Sequence, residues 1–202
     1  MKAQISHLTQ KSHWFKASKF KGISGCLSPL ALFLLLATSF ALLSCGNDEP
    51  ERVSARGRSL EVHTTHPLIV DKVAFTDGAG QYRVIRPRAS NRQLVLLDIT
   101  LVNRTSLVTP LLIDEDAAQL GDRRGERINA VDPFEASRVV DTADPETDLY
   151  TPFLWGAIEL DREFQVQGWM VFDVPKGLIL GSLWWEEVDA IITDFIEYRR
   201  RR

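Results

Sequence analysis

The chain has 202 residues, 24 of them basic and 27 acidic, for a formal net charge of −3. A chain of this length can bury a sizeable core unaided, and its acidity excludes nucleic-acid binding driven by electrostatics. Two cysteines, Cys26 and Cys45, exclude a disulfide-dense scaffold.

The first 44 residues differ in kind from the rest. Lys2, Lys11, Lys16, Lys19 and Lys21 stand in a stretch with no acidic residue, and an apolar run from Leu30 to Leu43 follows. A basic region, a short apolar core and the small Ser44 before Cys45 describe a secretory signal peptide. The apolar core has 14 residues, short of the roughly 20 that span a bilayer as a helix, so cleavage is expected over retention as a span. Removing five lysines leaves 19 basic against 27 acidic residues, a formal charge of −8.

Leu42-Leu43-Ser44-Cys45 resembles the lipobox of bacterial lipoproteins. The resemblance implies diacylglycerol on the Cys45 thiol, cleavage before it, and an extracytoplasmic domain tethered to a cell membrane or outer membrane. Leu43 is a less usual occupant of its position. With Cys26 removed and Cys45 lipidated, the domain that follows has no thiol to pair and must rely on its core. Gly46 to Ser59 is polar, with Pro and Gly and no apolar period, and reads as a flexible tether.

From Leu60 the pattern is strand after strand. Leu68 to Phe75 is rich in β-branched and apolar residues and ends at the turn cluster Asp77-Gly78-Ala79-Gly80. Gln93 to Asn103 is the longest candidate: Val95, Leu97, Ile99 and Leu101 share one face, Asp98 and Thr100 the other. Leu94, Leu96 and Val102 make that second face partly apolar, as in a central strand. Gln119 to Ile128 reads as a hairpin, with Asp122 opening the turn and Gly125 closing it. Between Ala130 and Gly156 the regularity breaks at an acidic stretch too long for a tight turn, the kind of loop that is functional or mobile.

Phe164 to Val174 is a second long strand, with Met170 and Phe172 alternating against Trp169 and Asp173. Leu183-Trp184-Trp185 follows. In the last segment Val188, Ile191, Ile192 and Phe195 fit helical spacing, whereas the β-branched run Ile191-Ile192-Thr193 favours a strand. Short strands joined by turns, with no long amphipathic helix, predict an all-β sandwich over 60–198, closed by the basic tail 199–202.

Four segments carry a family resemblance: Phe75-Thr76-Asp77, Val102-Asn103-Arg104-Thr105, Leu120 to Gly125, and Gln167 to Gly177. Together they resemble the immunoglobulin-like domain of uncharacterised function found in bacterial lipoproteins and secreted antigens. The resemblance implies an immunoglobulin-like antiparallel β-sandwich and supplies no catalytic residues. The acidic stretch from Val131 to Tyr150 is longer than the family pattern.

Candidate chemistry is sparse. His63 and His66 lie three apart, so on a strand they face opposite sides and cannot share a metal unless the strand bends, which Pro67 permits. Asp114-Glu115-Asp116 and the group Asp141, Asp144, Glu146 and Asp148 offer oxygen ligands without the spacing of a calcium loop, and read as solvated acids. There is no Gly-x-Ser-x-Gly and no Gly-rich phosphate loop, so the expectation is a module that is not an enzyme, with no metal and no cofactor. Trp155, Trp184 and Trp185 are the candidates for an anchor to an envelope protein partner. Trp184 and Trp185 are adjacent, so one faces the core and the other faces out. The runner-up expectation is a small-molecule or metal-binding envelope sensor using the acidic loop and the two histidines. A spacer with no specific ligand is the third.

Overall fold

The computed structural model describes residues 52–195. The expected signal peptide, Cys45, the first part of the expected tether and the basic tail lie outside the described residues. Within them the chain is all-β: fourteen strands, every pairing of one strand with another antiparallel. No helix among the described residues is long and apolar enough to cross a membrane.

Two long strands organise everything else. β6 (Arg92–Asn103) and β12 (Gln165–Pro175) pair along their length, with Leu97 opposite Met170. On the other edge of β6 lie β2 (Leu60–Thr65) and then β3 (Leu68–Val70), with β1 (Arg52–Arg56) outside β2. The break between β2 and β3 falls at His66-Pro67, where proline has no N–H to give the ladder.

Both faces of this sheet are covered. Val95, Leu97, Ile99 and Leu101 of β6, with Met170 and Phe172 of β12, enter the main core. Against them pack β7 (Thr109–Ile113), β8 (Ala118–Asp122), β11 (Gly156–Leu160), β13 (Leu180–Trp185) and β14 (Ile191–Asp194). Leu94, Leu96 and Val171 face the other way, into a smaller core with Val73 and Phe75 of β4 (Val73–Thr76) and Ile85 of β5 (Tyr82–Ile85). Each fully buried Leu or Ile contributes roughly 1.5–3 kcal/mol by leaving water. The partly apolar second face of β6 is thus explained: it has a second layer to bury against.

The hairpin of β8 and β9 (Arg127–Asn129) forms as expected. The Asp122 carboxylate accepts the N–H groups of Arg124 and Glu126 at 2.7 and 2.9 Å, and Gly125 takes a φ of 86°. The segment from Ile191 is a strand, in agreement with its β-branched run.

Three expectations are corrected. Residues 52–56 are not tether but strand β1, in register with β2 (Arg52 opposite Thr65). The turn after it is held by Asp189, whose Oδ2 accepts the N–H groups of Ser59 and Leu60 at 2.5 and 2.8 Å. Leu68 to Phe75 is not one strand: Asp71-Lys72 divides it into β3 and β4, which belong to different sheets. The acidic stretch 131–150 is not all loop, because Ser137–Val140 forms β10 on the edge of β5.

Candidate functional site

A cleft of about 570 Å³ opens beside the smaller core. β5 and β10 supply one side, and Arg138 of β10 stands opposite Val84. Ile85 leads directly into Arg86-Pro87-Arg88, which turns along the rim. Leu94, Ala130 and Val131 give the interior an apolar stretch. Glu115, Asp132 and Glu135 bring acidic side chains to the same space, and Asp173 of β12 reaches it from the central sheet.

Asp173 is the most buried charge in the cleft, at 4% exposure. Its register partner is Leu94, and it shares a face with Val171, so the backbone aims a carboxylate at the end of an apolar core. Burial of a charge requires partners. Arg92 provides one, with Nε 3.0 Å from Oδ1, and its Nη2 also donates to the Asp173 backbone carbonyl. Arg88 donates its backbone N–H to Oδ2 at 3.3 Å, with its Nε 3.7 Å away. The Arg92 Nε and Asp173 Oδ1 atoms are close but poorly aligned, and Oδ1 accepts no hydrogen bond. Asp173 thereby pulls the β5–β6 turn, with Arg88, against the mouth of the cleft.

Four of the remaining charges of the cleft are uncommitted. Arg86 and Arg138 are exposed and make no direct hydrogen bond or ion pair among the described residues, although the Arg86 charge acts on Asp144 at a distance. The side chains of Glu115 and Glu135 are likewise exposed and unpaired there. Asp132 is spent locally: its Oδ1 accepts the N–H groups of Phe134 and Glu135 at 2.7 and 3.2 Å.

The acids noted in the long loop have structural work. Lys72 grips the Asp144 carboxylate, whose pKa is held below the ordinary value by that bond and then by the Glu146 N–H. Asp148 accepts the Thr76 N–H at 2.7 Å and its hydroxyl at 2.8 Å. Two of the four loop acids therefore fasten the loop to β3–β4, and no group of three or more His, Cys, Asp or Glu suited to a metal occurs among the described residues. His63 Nε2 lies 3.2 Å from Glu61 Oε1, while the His66 ring is tilted 49° against Phe195 at 6.1 Å between centroids, so the two histidines serve different neighbourhoods.

The tryptophans divide sharply. Trp185 is 1% exposed in the main core, its Nε1 donating to the Glu187 carbonyl at 2.8 Å, and the reading of it as a partner anchor is corrected. Trp184 faces out, but Arg127 lies over its ring at 3.7 Å from the centroid, and its Nε1 donates to Ser182. Trp155 is half-buried against the main core. Its neighbours Tyr150 and Phe153 pack instead with Trp169 and Phe75 beside the smaller core, so these aromatics do not form one surface cluster.

No family model, curated protein or solved structure matches this chain. Sequence reasoning missed Arg86, Arg88, Arg138 and Asp173. The one local signal was Arg-Pro-Arg placed directly after a strand.

Proposed function

We propose that this chain is an exported lipoprotein, held to the membrane by diacylglycerol on Cys45, whose extracytoplasmic domain binds or organises another envelope component, a protein, without catalysis. The observation that carries the reading is Leu42-Leu43-Ser44-Cys45 at the end of a basic, then apolar, leader. The fate of the carboxylates supports a binding role. Asp98, Asp144, Asp148 and Asp173 each hold a structural partner rather than stand ready for acid–base work.

The domain is, in this reading, an immunoglobulin-like sandwich of the kind found in bacterial lipoproteins and secreted antigens. Sheets β1-β2-β6-β12 and β14-β13-β8-β9 form its two layers, and β4, β5 and β10 are an addition on the outer face. Metabolic labelling with palmitate tests the anchor: the wild-type chain takes up label and Cys45→Ala does not. Persistent label on the variant would place the acceptor elsewhere. In-cell cross-linking then tests for a recurrent partner, with Trp155 as the aromatic to vary.

The cleft favours a second reading, an envelope sensor for a small molecule. Its volume falls within the roughly 300–1,000 Å³ of ligand pockets, and it combines an apolar interior with a few converging charges.

A further inference from the structure

Resting on that second reading, the chemistry of the cleft defines its ligand. We propose that it binds a small zwitterion of the amino-acid class, a free amino acid or a dipeptide, with the carboxylate on Arg86 and Arg138 and the ammonium on Glu115 and Glu135. Val84 pairs with Arg138, and Arg86 follows Val84 by two positions. Arg86 stands one residue past the end of β5, and both guanidinium groups border the cleft, where they can close on one carboxylate.

Of the five exposed charges in the cleft, Arg88 is held by Asp173, and the other four, two of each sign, have no ion-pair partner among the described residues. A purely anionic ligand would meet Glu115 and Glu135, and a purely cationic one would meet Arg86 and Arg138. A molecule carrying both charges satisfies both sets. At the interior Asp173, buried and ion-paired with Arg92, sets the negative end of the cleft floor without facing a ligand directly. Leu94, Ala130 and Val131 between the charges suit the hydrocarbon part of a side chain.

The test is calorimetric titration of the full-length chain in detergent with L-alanine, L-glutamate, L-lysine and alanyl-alanine. N-acetyl-alanine, alaninamide and inorganic phosphate are titrated in parallel. At least one zwitterion should bind saturably, and its acetylated and amidated forms should bind about tenfold or more weakly, the loss of a charge-assisted hydrogen bond. Arg138→Ala and Glu135→Gln should each weaken binding by a similar factor, with part recovered in Arg138→Lys. Both side chains are exposed, so the melting temperature should hold, and Arg162→Ala on the β11–β12 turn should bind as the wild type does.

Absence of binding by every zwitterion overturns the proposal, as does equal binding of the acetylated and amidated forms. Binding of phosphate alone, weakened in Arg138→Ala, also overturns it, while leaving a sensor for a simple anion. Palmitate labelling is independent of all these outcomes, so failure here and failure of the anchor are separable.

Discussion

Arg52 on β1 reaches across β2 to Asp98 on β6, with Nη2 2.8 Å from Oδ2 and Nη1 donating to Thr100 Oγ1 at 2.9 Å. Asp98 is 6% exposed, and its carboxylate also accepts Gln167 Nε2 of β12 at 2.9 and 3.0 Å. One buried carboxylate thus joins three strands of the central sheet. Arg52→Ala leaves that charge short of a partner and should cost about 1–3 kcal/mol, read as a lower urea midpoint. An unchanged midpoint would mean that water takes the place of the guanidinium.

Trp184 and Trp185 should behave in opposite ways. Removing Trp185 from the main core should destabilise by about 3–5 kcal/mol. Removing Trp184 loses an exposed cation–π contact with Arg127, worth about 0.5–1 kcal/mol. Chemical denaturation of the two alanine variants gives the order directly, and the reverse order would contradict the assignment of Trp185 to the core.

Gly168 sits where the chain from Pro152 to Leu154 runs alongside β12, bridged in parallel at Phe153 and Trp169. The Trp169 N–H donates to the Pro152 carbonyl and the Leu154 N–H to the Trp169 carbonyl, at 2.9 and 3.0 Å. A Cβ at Gly168 would lie 2.8 Å from the Leu154 nitrogen and 3.0 Å from the Pro152 oxygen, both backbone atoms. Gly168→Ala should therefore displace that segment and cost about 1–3 kcal/mol, measured as a fall in melting temperature.

The Lys72–Asp144 bond makes a prediction about acid. Asp144 has a folded-state pKa below its ordinary value of 3.8, chiefly because Lys72 donates to it. A lowered carboxylate pKa gives stability that is present above the ordinary value and lost as pH falls through the folded-state value. The urea midpoint of Lys72→Ala should lie below the wild type near neutrality, and the gap should close under strong acid. A gap that persists once Asp144 is protonated would assign the effect to packing of the lysine stem. Asp77, held below the same ordinary value first by the Gln81 N–H and then by Arg83, contributes to the acid limb in both proteins.

What the sequence disclosed was what repeats at short range. β6 and β12 were legible because each alternates over many residues, and the β8–β9 hairpin because Asp122 and Gly125 do local work in the turn. β1 was not: in Arg-Val-Ser-Ala-Arg only Val53 becomes buried, and pairing with β2 makes the strand. β10 was hidden for the same reason, as its residues are half-buried or exposed and gain order from the edge of β5. Beyond Arg86-Pro87-Arg88 the cleft had no sequence signature, because its charges come from separate segments: Arg86 and Arg88, Glu115, Asp132 to Arg138, and Asp173. Adjacent tryptophans announce opposite faces, but which face is inside depends on strands elsewhere in the chain.

The pairing of β6 with β12 has a kinetic consequence. Val102 meets Gln165 across 63 positions and Arg92 meets Pro175 across 83, so the central ladder closes only after a long excursion of chain. Loop-closure entropy is lost before those contacts repay it, which makes folding of such topologies slow. Until then β6, paired with β2 and β3 on one side, presents an apolar strand with its other edge unsatisfied, a form of chain prone to associate with its own kind. Refolding yield should accordingly fall with protein concentration, and the interval before β12 arrives is when the chain most needs shelter.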